Sequence, residues 1–151
     1  MKILLVSDTH GDTQLLKQVI SSEKDIDIVL HAGDSELPPY MIQDVLTVKG
    51  NCDFYEYHAF RNLNIEGYNI HIEHGNKIKI QDSLFLENND YDIVVFGHTH
   101  TVKVLKSVNG NKFFFNPGSL TRPRDNEKGS YIILEISKNN ISYEIKRIEI
   151  N

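Results

Sequence analysis

Short apolar runs alternate with polar breaks along this chain, in two different rhythms. Lys2 to Val6, Asp27 to His31 and Leu46 to Lys49 are apolar without in-and-out alternation, the pattern of strands buried on both faces in a parallel sheet. Between the first two, Leu15, Leu16, Val19 and Ile20 recur at helical spacing behind Asp12 and Thr13, either of which suits an N-cap. Pro38-Pro39 predicts a second, short helix through Met41, Ile42 and Val45, since proline is tolerated in a first helical turn. The rhythm then changes. Phe60 to Ile65 and Tyr68 to Glu73 read as a hairpin turning at Glu66-Gly67, and Ile80, Leu84 and Phe85 suggest one more helix, stopped by Asn88-Asn89. The run Val94-Val95-Phe96 breaks off into Gly97-His98-Thr99-His100. Val102 to Ser107 and Phe113 to Phe115 flank an Asn109-Gly110 hairpin, and Tyr131 to Ile136 and Ile141 to Ile150 flank Asn139-Asn140. In that last strand the alternation slips after Ile145 to Ile148 and Ile150, which predicts a bulge near Arg147.

Parallel βα units followed by antiparallel hairpins predict two layers of sheet with helices outside. No repeat, low-complexity segment or linker interrupts the 151 residues, so 1–151 reads as one domain, long enough to bury a substantial core. The single cysteine, Cys52, excludes an intrachain disulfide and a cysteine-based zinc site, and it fits a reducing, cytoplasmic setting. Ser7 and Asp8 follow the opening apolar run too soon for a signal-peptide core. No apolar stretch approaches the ~20 residues that span a bilayer, so no membrane partner is expected. A formal net charge of −5 argues against stable binding to nucleic-acid backbones, which wants a basic face. Any phosphate must be attracted locally.

The candidate chemistry sits where the strands stop. Asp8, His10, Asp34, Asn51, His74, His98 and His100 all fall just beyond the carboxyl end of a predicted strand, where α/β sheets place their ligands. A His-x-His at one strand end is by itself weak evidence for a metal and reads first as a polar turn. Seven oxygen and nitrogen donors from five strand ends are harder to read as solvated loops, which favour serine, glycine and asparagine. A structural zinc takes four ligands, mostly cysteines, whereas seven such donors serve two metals if one carboxylate bridges them, and Asp34 is the natural bridge. Two cations ~3.5–4 Å apart clamp the attacking and leaving oxygens of an in-line displacement at phosphorus and lower the pKa of a water between them. Hydroxide results at neutral pH without a protein nucleophile.

The motifs Asp8-x-His10, Gly33-Asp34, Gly50-Asn51-Cys52-Asp53, His74-Gly75, Gly97-His98-Thr99-His100 and Asn116-Pro117-Gly118-Ser119, in this order and spacing, resemble the calcineurin-like metallophosphoesterases, and among them the small YfcE-type phosphodiesterases. The resemblance implies an α/β fold of four layers, an αββα sandwich in which two mixed β-sheets are flanked by helices. It implies Asp8, His10 and His100 on one divalent cation, Asn51, His74 and His98 on the other, and Asp34 shared. Asp34, Asn51 and His98 are expected to serve catalysis as well. Manganese is the first expectation for both metals, with iron, nickel and zinc as alternatives. The implied activity is hydrolysis of a small phosphodiester by a hydroxide between the two metals. The other reading is a non-catalytic interaction module, because a retromer scaffold subunit resembles the same fold. Whether the chain forms a homo-oligomer is left open.

Two positions depart from the broader family. Cys52 stands where that family carries a histidine that helps bind phosphate or protonate the leaving group, and Asn76 stands where some relatives have a second histidine after His74-Gly75. Cys52 as a nucleophile is the lesser reading, since small cysteines are common in packing and two metals already supply hydroxide. His31, His58 and His71 lie within or beside strands and read as packing or surface histidines. Asp53 either orients a partner of the site or caps a turn, and Arg122 and Arg124 either grip the far end of a substrate or lie in solvent.

Overall fold

The computed structural model describes residues 1–77, 86–125 and 128–148. Among the described residues, ten strands form two mixed sheets of five. The first sheet carries β1 (Lys2–Val6), β2 (Ile28–His31), β3 (Val45–Thr47), β9 (Ser130–Ser137) and β10 (Asn140–Arg147), in the spatial order β10-β9-β1-β2-β3. Its β1, β2 and β3 are parallel, while β9 runs antiparallel to β1. The second contains β4 (Phe60–Ile65), β5 (Tyr68–Glu73), β6 (Ile93–Val95), β7 (Val102–Lys106) and β8 (Phe113–Pro117), in the order β4-β5-β6-β8-β7. Here β5, β6 and β8 are parallel.

The two sheets pack face to face. Ile3, Leu5 and Leu30 of the first meet Ile70, Ile72, Ile93, Val95 and Phe115 of the second in one buried cluster. The outer face of the first sheet is covered by α1 (Thr13–Ser22), whose Leu16 and Val19 pack on Leu4, Val6 and Val29. Asp12 is its N-cap, accepting a hydrogen bond from the Leu15 N–H at 2.9 Å. On the outer face of the second sheet, Leu86, Val94, Phe96 and Phe114 form a smaller cluster.

This corrects the expected four-layer αββα sandwich. Two mixed sheets are present, but α1 is the one complete α-helix among the described residues, so two flanking layers of helix are not formed by them. The predicted helix from Pro38 to Val45 shrinks to a single 3-10 turn, Pro39–Met41. Ile42 leaves helical backbone at φ −135°, and β-branched Val45 is taken by the sheet edge opposite Val29. Ile80, Leu84 and Phe85 of the other expected helix lie outside the described residues.

The hairpins follow the sequence pattern. Glu66 and Gly67, with φ of +53° and +89°, make the two-residue β4–β5 turn, and β9–β10 closes through Lys138 and Asn139, one residue earlier than expected. The β9–β10 ladder keeps register without interruption from Asn140 opposite Ser137 to Arg147 opposite Ser130, so no bulge occurs up to Arg147; Ile150 is outside the described residues. No helix among the described residues is long and apolar enough to cross a membrane.

Candidate metal centre

The parallel strands of both sheets end at the same edge of the sandwich, and their loops are laced together by backbone bonds. The Asp8 N–H donates to Gly33 O at 3.0 Å, His10 N–H to Asp34 O at 3.0 Å, and Gly97 N–H to His74 O at 3.1 Å. Across the sheets, the His98 N–H donates to Asp8 Oδ2 at 3.0 Å, and the Ser119 hydroxyl donates to Asp8 O at 2.8 Å. Asp8, His10, Asp34, Asn51, His74, His98 and His100 are thereby brought to one place from both sheets.

The backbone is strained where they sit. Of eight non-glycine residues with positive φ among the described residues, five are Asp8, His10, Asp34, His98 and His100, and a sixth is Glu36. Left-handed backbone is costly for such residues and persists only where surrounding bonds over-determine it. Two glycines permit the close approach of the loops: a β-carbon at Gly50 would collide with the Asp34 carboxylate, and one at Gly97 with Ser7 Oγ and Asp8 Oδ2.

The imidazoles identify what the cluster is for. His74 Nδ1 lies 2.7 Å from Ala32 O, and His100 Nδ1 lies 2.8 Å from Arg122 O. A carbonyl only accepts, so these nitrogens carry the protons and both Nε2 atoms present lone pairs. His10 Nδ1 faces the Glu36 carboxylate at 3.3 Å, which fixes the same tautomer. The three Nε2 lone pairs then point at further acceptors. His100 Nε2 is 3.2 Å from Asp8 Oδ1 and 3.3 Å from His10 Nε2; His74 Nε2 is 3.1 Å from Asp34 Oδ2 and 2.9 Å from Asn51 Oδ1. His98 Nδ1 joins the second group, 3.0 Å from Asn51 Oδ1 and 3.2 Å from His74 Nε2. Buried Asp8 Oδ1 has no hydrogen-bond partner among the described residues. Lone pairs facing lone pairs repel unless a cation stands among them.

Three sets of donors among the described residues have the spacing to hold an ion: Asp8, His10 and His100; Asp8, Asp34 and His74; and His10, Glu36 and Cys52 at the more exposed rim. The site is a dinuclear divalent-metal site, and its imidazole, carboxylate and amide donors suit such ions. Where protons take the cations' places, the histidines respond accordingly. Asp8 raises the His100 pKa above the ordinary value, more than burial lowers it. Burial pulls His74 down, yet Asp34 and Asp8 leave it raised. Burial also works to raise the Asp34 carboxyl, but the His74 partner and the Cys52 N–H, donating to Asp34 Oδ1 at 2.8 Å, hold it down at about 2.

Asp53 is the clamp on this loop. Its buried carboxylate accepts from the N–H groups of Asp34 at 2.9 Å, Gly50 at 2.7 Å and Glu36 at 2.8 Å. Cys52 is exposed, and partial desolvation with the Asp34 charge pushes its thiol pKa up, which disfavours thiolate chemistry. Arg122 and Arg124 meet the site through backbone, as acceptor for His100 Nδ1 and donor to His100 O, while both residues remain exposed. His31 and His71 are buried and hydrogen-bonded, and His58 is exposed. Sequence reasoning passed over Ser7, whose hydroxyl donates to Asp8 Oδ2 at 2.5 Å, and Glu36. Their one signal is adjacency to Asp8 and Asp34.

A carboxylate-rich, histidine-rich pair of metal positions at the carboxyl ends of parallel strands, reached from two packed sheets, defines a dinuclear metal-dependent hydrolase. The chain belongs to the calcineurin-like phosphoesterase superfamily, whose domain model matches residues 1–139. It is similar to the probable metallophosphoesterase YsnB of Bacillus subtilis (strain 168), with 32% identity over 147 residues, covering 90% of this chain and 85% of the relative. Phosphodiesterase YfcE of Escherichia coli (strain K12) is 25% identical over 165 residues, covering 89% of this chain and 88% of that one. A crystal structure of a predicted phosphoesterase from Streptococcus pneumoniae TIGR4 superposes with a TM-score of 0.84 at 28% identity, covering 97% of this chain and 88% of the other.

Proposed function

We propose that this chain is a metal-dependent phosphodiesterase of the small YfcE-type branch, acting on a small phosphodiester. The observation that carries the reading is the convergence of imidazole Nε2 atoms on one another and on buried carboxylate oxygens, an arrangement that divalent cations would hold together. Asp8, His10 and His100 would hold one cation, Asn51, His74 and His98 the other, and Asp34 both. Bound there, two divalent cations supply positive charge for the phosphate and acidity that makes hydroxide available at neutral pH. Manganese suits the mixed oxygen and nitrogen donors, although iron, nickel and zinc suit them too.

The chain's own residues do the positioning. Ala32 O and Arg122 O fix the ring orientations of His74 and His100, and Asp53 and the Cys52 N–H fix Asp34. Asn51 Oδ1 sits between His74 and His98, where an amide oxygen adds a donor without adding charge. Beside His98 a cavity of about 470 Å³ is lined by Asn76, Thr99, Thr101, Lys103 and Phe96, room for the part of a substrate beyond its phosphate. The free thiol of Cys52 fits a cytoplasmic enzyme.

The test is hydrolysis of a panel of aryl and alkyl phosphodiesters, cyclic nucleotides and dinucleotides by metal-stripped protein reloaded with manganese, iron, nickel or zinc. Turnover that needs a divalent cation is expected. A protein that binds two cations and cleaves nothing in the panel would instead favour a non-catalytic module.

A further inference from the structure

The histidines of the centre are not supported alike. His74 and His100 each turn their outer nitrogen to a neutral backbone carbonyl, whereas His10 turns Nδ1 to the carboxylate of Glu36 at 3.3 Å. Glu36 is built to be there. Its backbone is left-handed at φ +56°, and its N–H is tied to Asp53 Oδ1 at 2.8 Å, the same carboxylate that holds Asp34. The loop around it is bound to the His10 loop twice more, by His10 N–H on Asp34 O at 3.0 Å and Gly11 N–H on Ser35 O at 2.7 Å. A non-glycine residue in that conformation between two site loops is a costly placement for a merely solvated acid.

We infer that Glu36 is a positioning residue for His10, which fixes its Nε2 lone pair toward Asp8 and His100 and strengthens cation binding at that position alone. This rests on the reading of His10 as a metal ligand. A carboxylate hydrogen-bonded to the outer N–H of a ligating imidazole locks the tautomer, restricts the ring and raises the basicity of the ligating nitrogen, and losing such a partner costs about 10- to 100-fold in metal affinity. Asn51, His74 and His98 have no contact with Glu36 among the interactions described, so the second position should not respond. Cys52 Sγ belongs to the same close group as His10 and Glu36, three donors that could themselves take a cation, and this makes a competing outcome.

The experiment is stepwise metal titration of the full chain, stripped and reloaded with manganese or cobalt in competition with a chromophoric chelator. It compares wild type with Glu36→Ala, Glu36→Gln, Glu36→Asp and His10→Ala, with the visible spectrum of the cobalt form recorded throughout. We expect Glu36→Ala to weaken one of the two affinities by about 10- to 100-fold and leave the other unchanged. Glu36→Gln, which keeps an acceptor and loses the charge, should fall between Glu36→Ala and wild type, and Glu36→Asp should recover part of the loss. The thermal midpoint of the stripped proteins should stay within a few degrees, and the cobalt spectrum should change for one position. If Glu36→Ala and Glu36→Gln leave both affinities within twofold while His10→Ala loses one cation, the inference is overturned and the ligand assignment stands. Equal loss at both positions with a fallen midpoint would reveal a structural role. A third bound equivalent that disappears in Cys52→Ser would make the group a metal site, and either result overturns the inference. His10→Ala that still binds both cations would remove the ligand assignment itself.

Discussion

Cys52 decides how the reaction must treat its leaving group. It stands beside Asn51 with its thiol pushed up in pKa, so that position supplies neither a good general acid nor a thiolate. A positioned general acid is worth roughly 10²–10⁴ in rate, and without one the substrates cleaved well should be those whose leaving group departs as a stable anion. We therefore expect nitrophenyl phosphodiesters to be hydrolysed far faster than alkyl ones. Cys52→His should narrow the gap by improving the alkyl substrates, while Cys52→Ser leaves the aryl ones nearly unchanged. Rates for an aryl and alkyl series at fixed metal measure this; loss of orders of magnitude in Cys52→Ser with both metals bound would show the thiol taking part. At this scale the residues that the loops bring together were legible in the sequence, because Asp8, Asp34, His74, His98 and His100 each follow a predicted strand that stops. Glu36 was not legible: its side chain reaches His10 only because its backbone turns left-handed, and no periodicity encodes that.

Among the elements, the parallel strands were the easiest to read and the connections the hardest. Val6 and His31 end strands where the predicted runs end, and β6 stops at Val95, one residue short of Phe96, since burial on both faces leaves little other use for an unbroken apolar run. Pro38-Pro39 misled because two prolines also fit a tight turn, and pairing with Val29 claimed Val45 for β3. The glycines between strand and loop carry the geometry. Gly97→Ala would force its β-carbon into Ser7 and Asp8, and we expect about 1–3 kcal/mol of destabilisation together with weakened metal binding. Gly67→Ala, at φ +89° but with open space around it, should cost about 1 kcal/mol and leave both metals bound. Urea denaturation and metal content of the two variants separate these effects; normal metal content in Gly97→Ala would mean that the loops yield more readily than their packing indicates.

At the scale of the whole molecule, the site is built at the expense of a buried histidine beneath it. His31 is fully buried, its Nδ1 accepts from Gly33 N–H at 3.1 Å, and its Nε2 lies 2.9 Å from Thr9 Oγ1. Burial, with His74 and His10 adding to it, outweighs the nearby carboxylates and lowers its pKa from 6.5 to about 4. The unfolded chain thus binds this proton more tightly, so the contribution of His31 is full above pH 6.5 and is lost as pH falls toward 4, a change of roughly 3 kcal/mol. His98, also lowered, acts in the same sense. His74 and His100, raised, contribute fully below pH 6.5 and fade above it, and Asp34 loses its contribution only between 3.8 and about 2. Neither masks the window. Urea midpoints of stripped protein between pH 7 and 4.5 should fall more steeply for wild type than for His31→Gln; parallel curves would contradict the account of His31.

The two-sheet arrangement and the shared centre lead to one measurement above the others, the metal content and turnover of wild type, Asp34→Ala and Asn51→Ala. Wild type should hold two divalent cations per chain. Asp34→Ala should lose both together with all activity, because that carboxylate is proposed to belong to both positions. Asn51→Ala should keep the cation at Asp8, His10 and His100 and lose the other. An Asp34→Ala protein that still holds two cations and hydrolyses phosphodiesters would contradict the shared carboxylate on which the account depends.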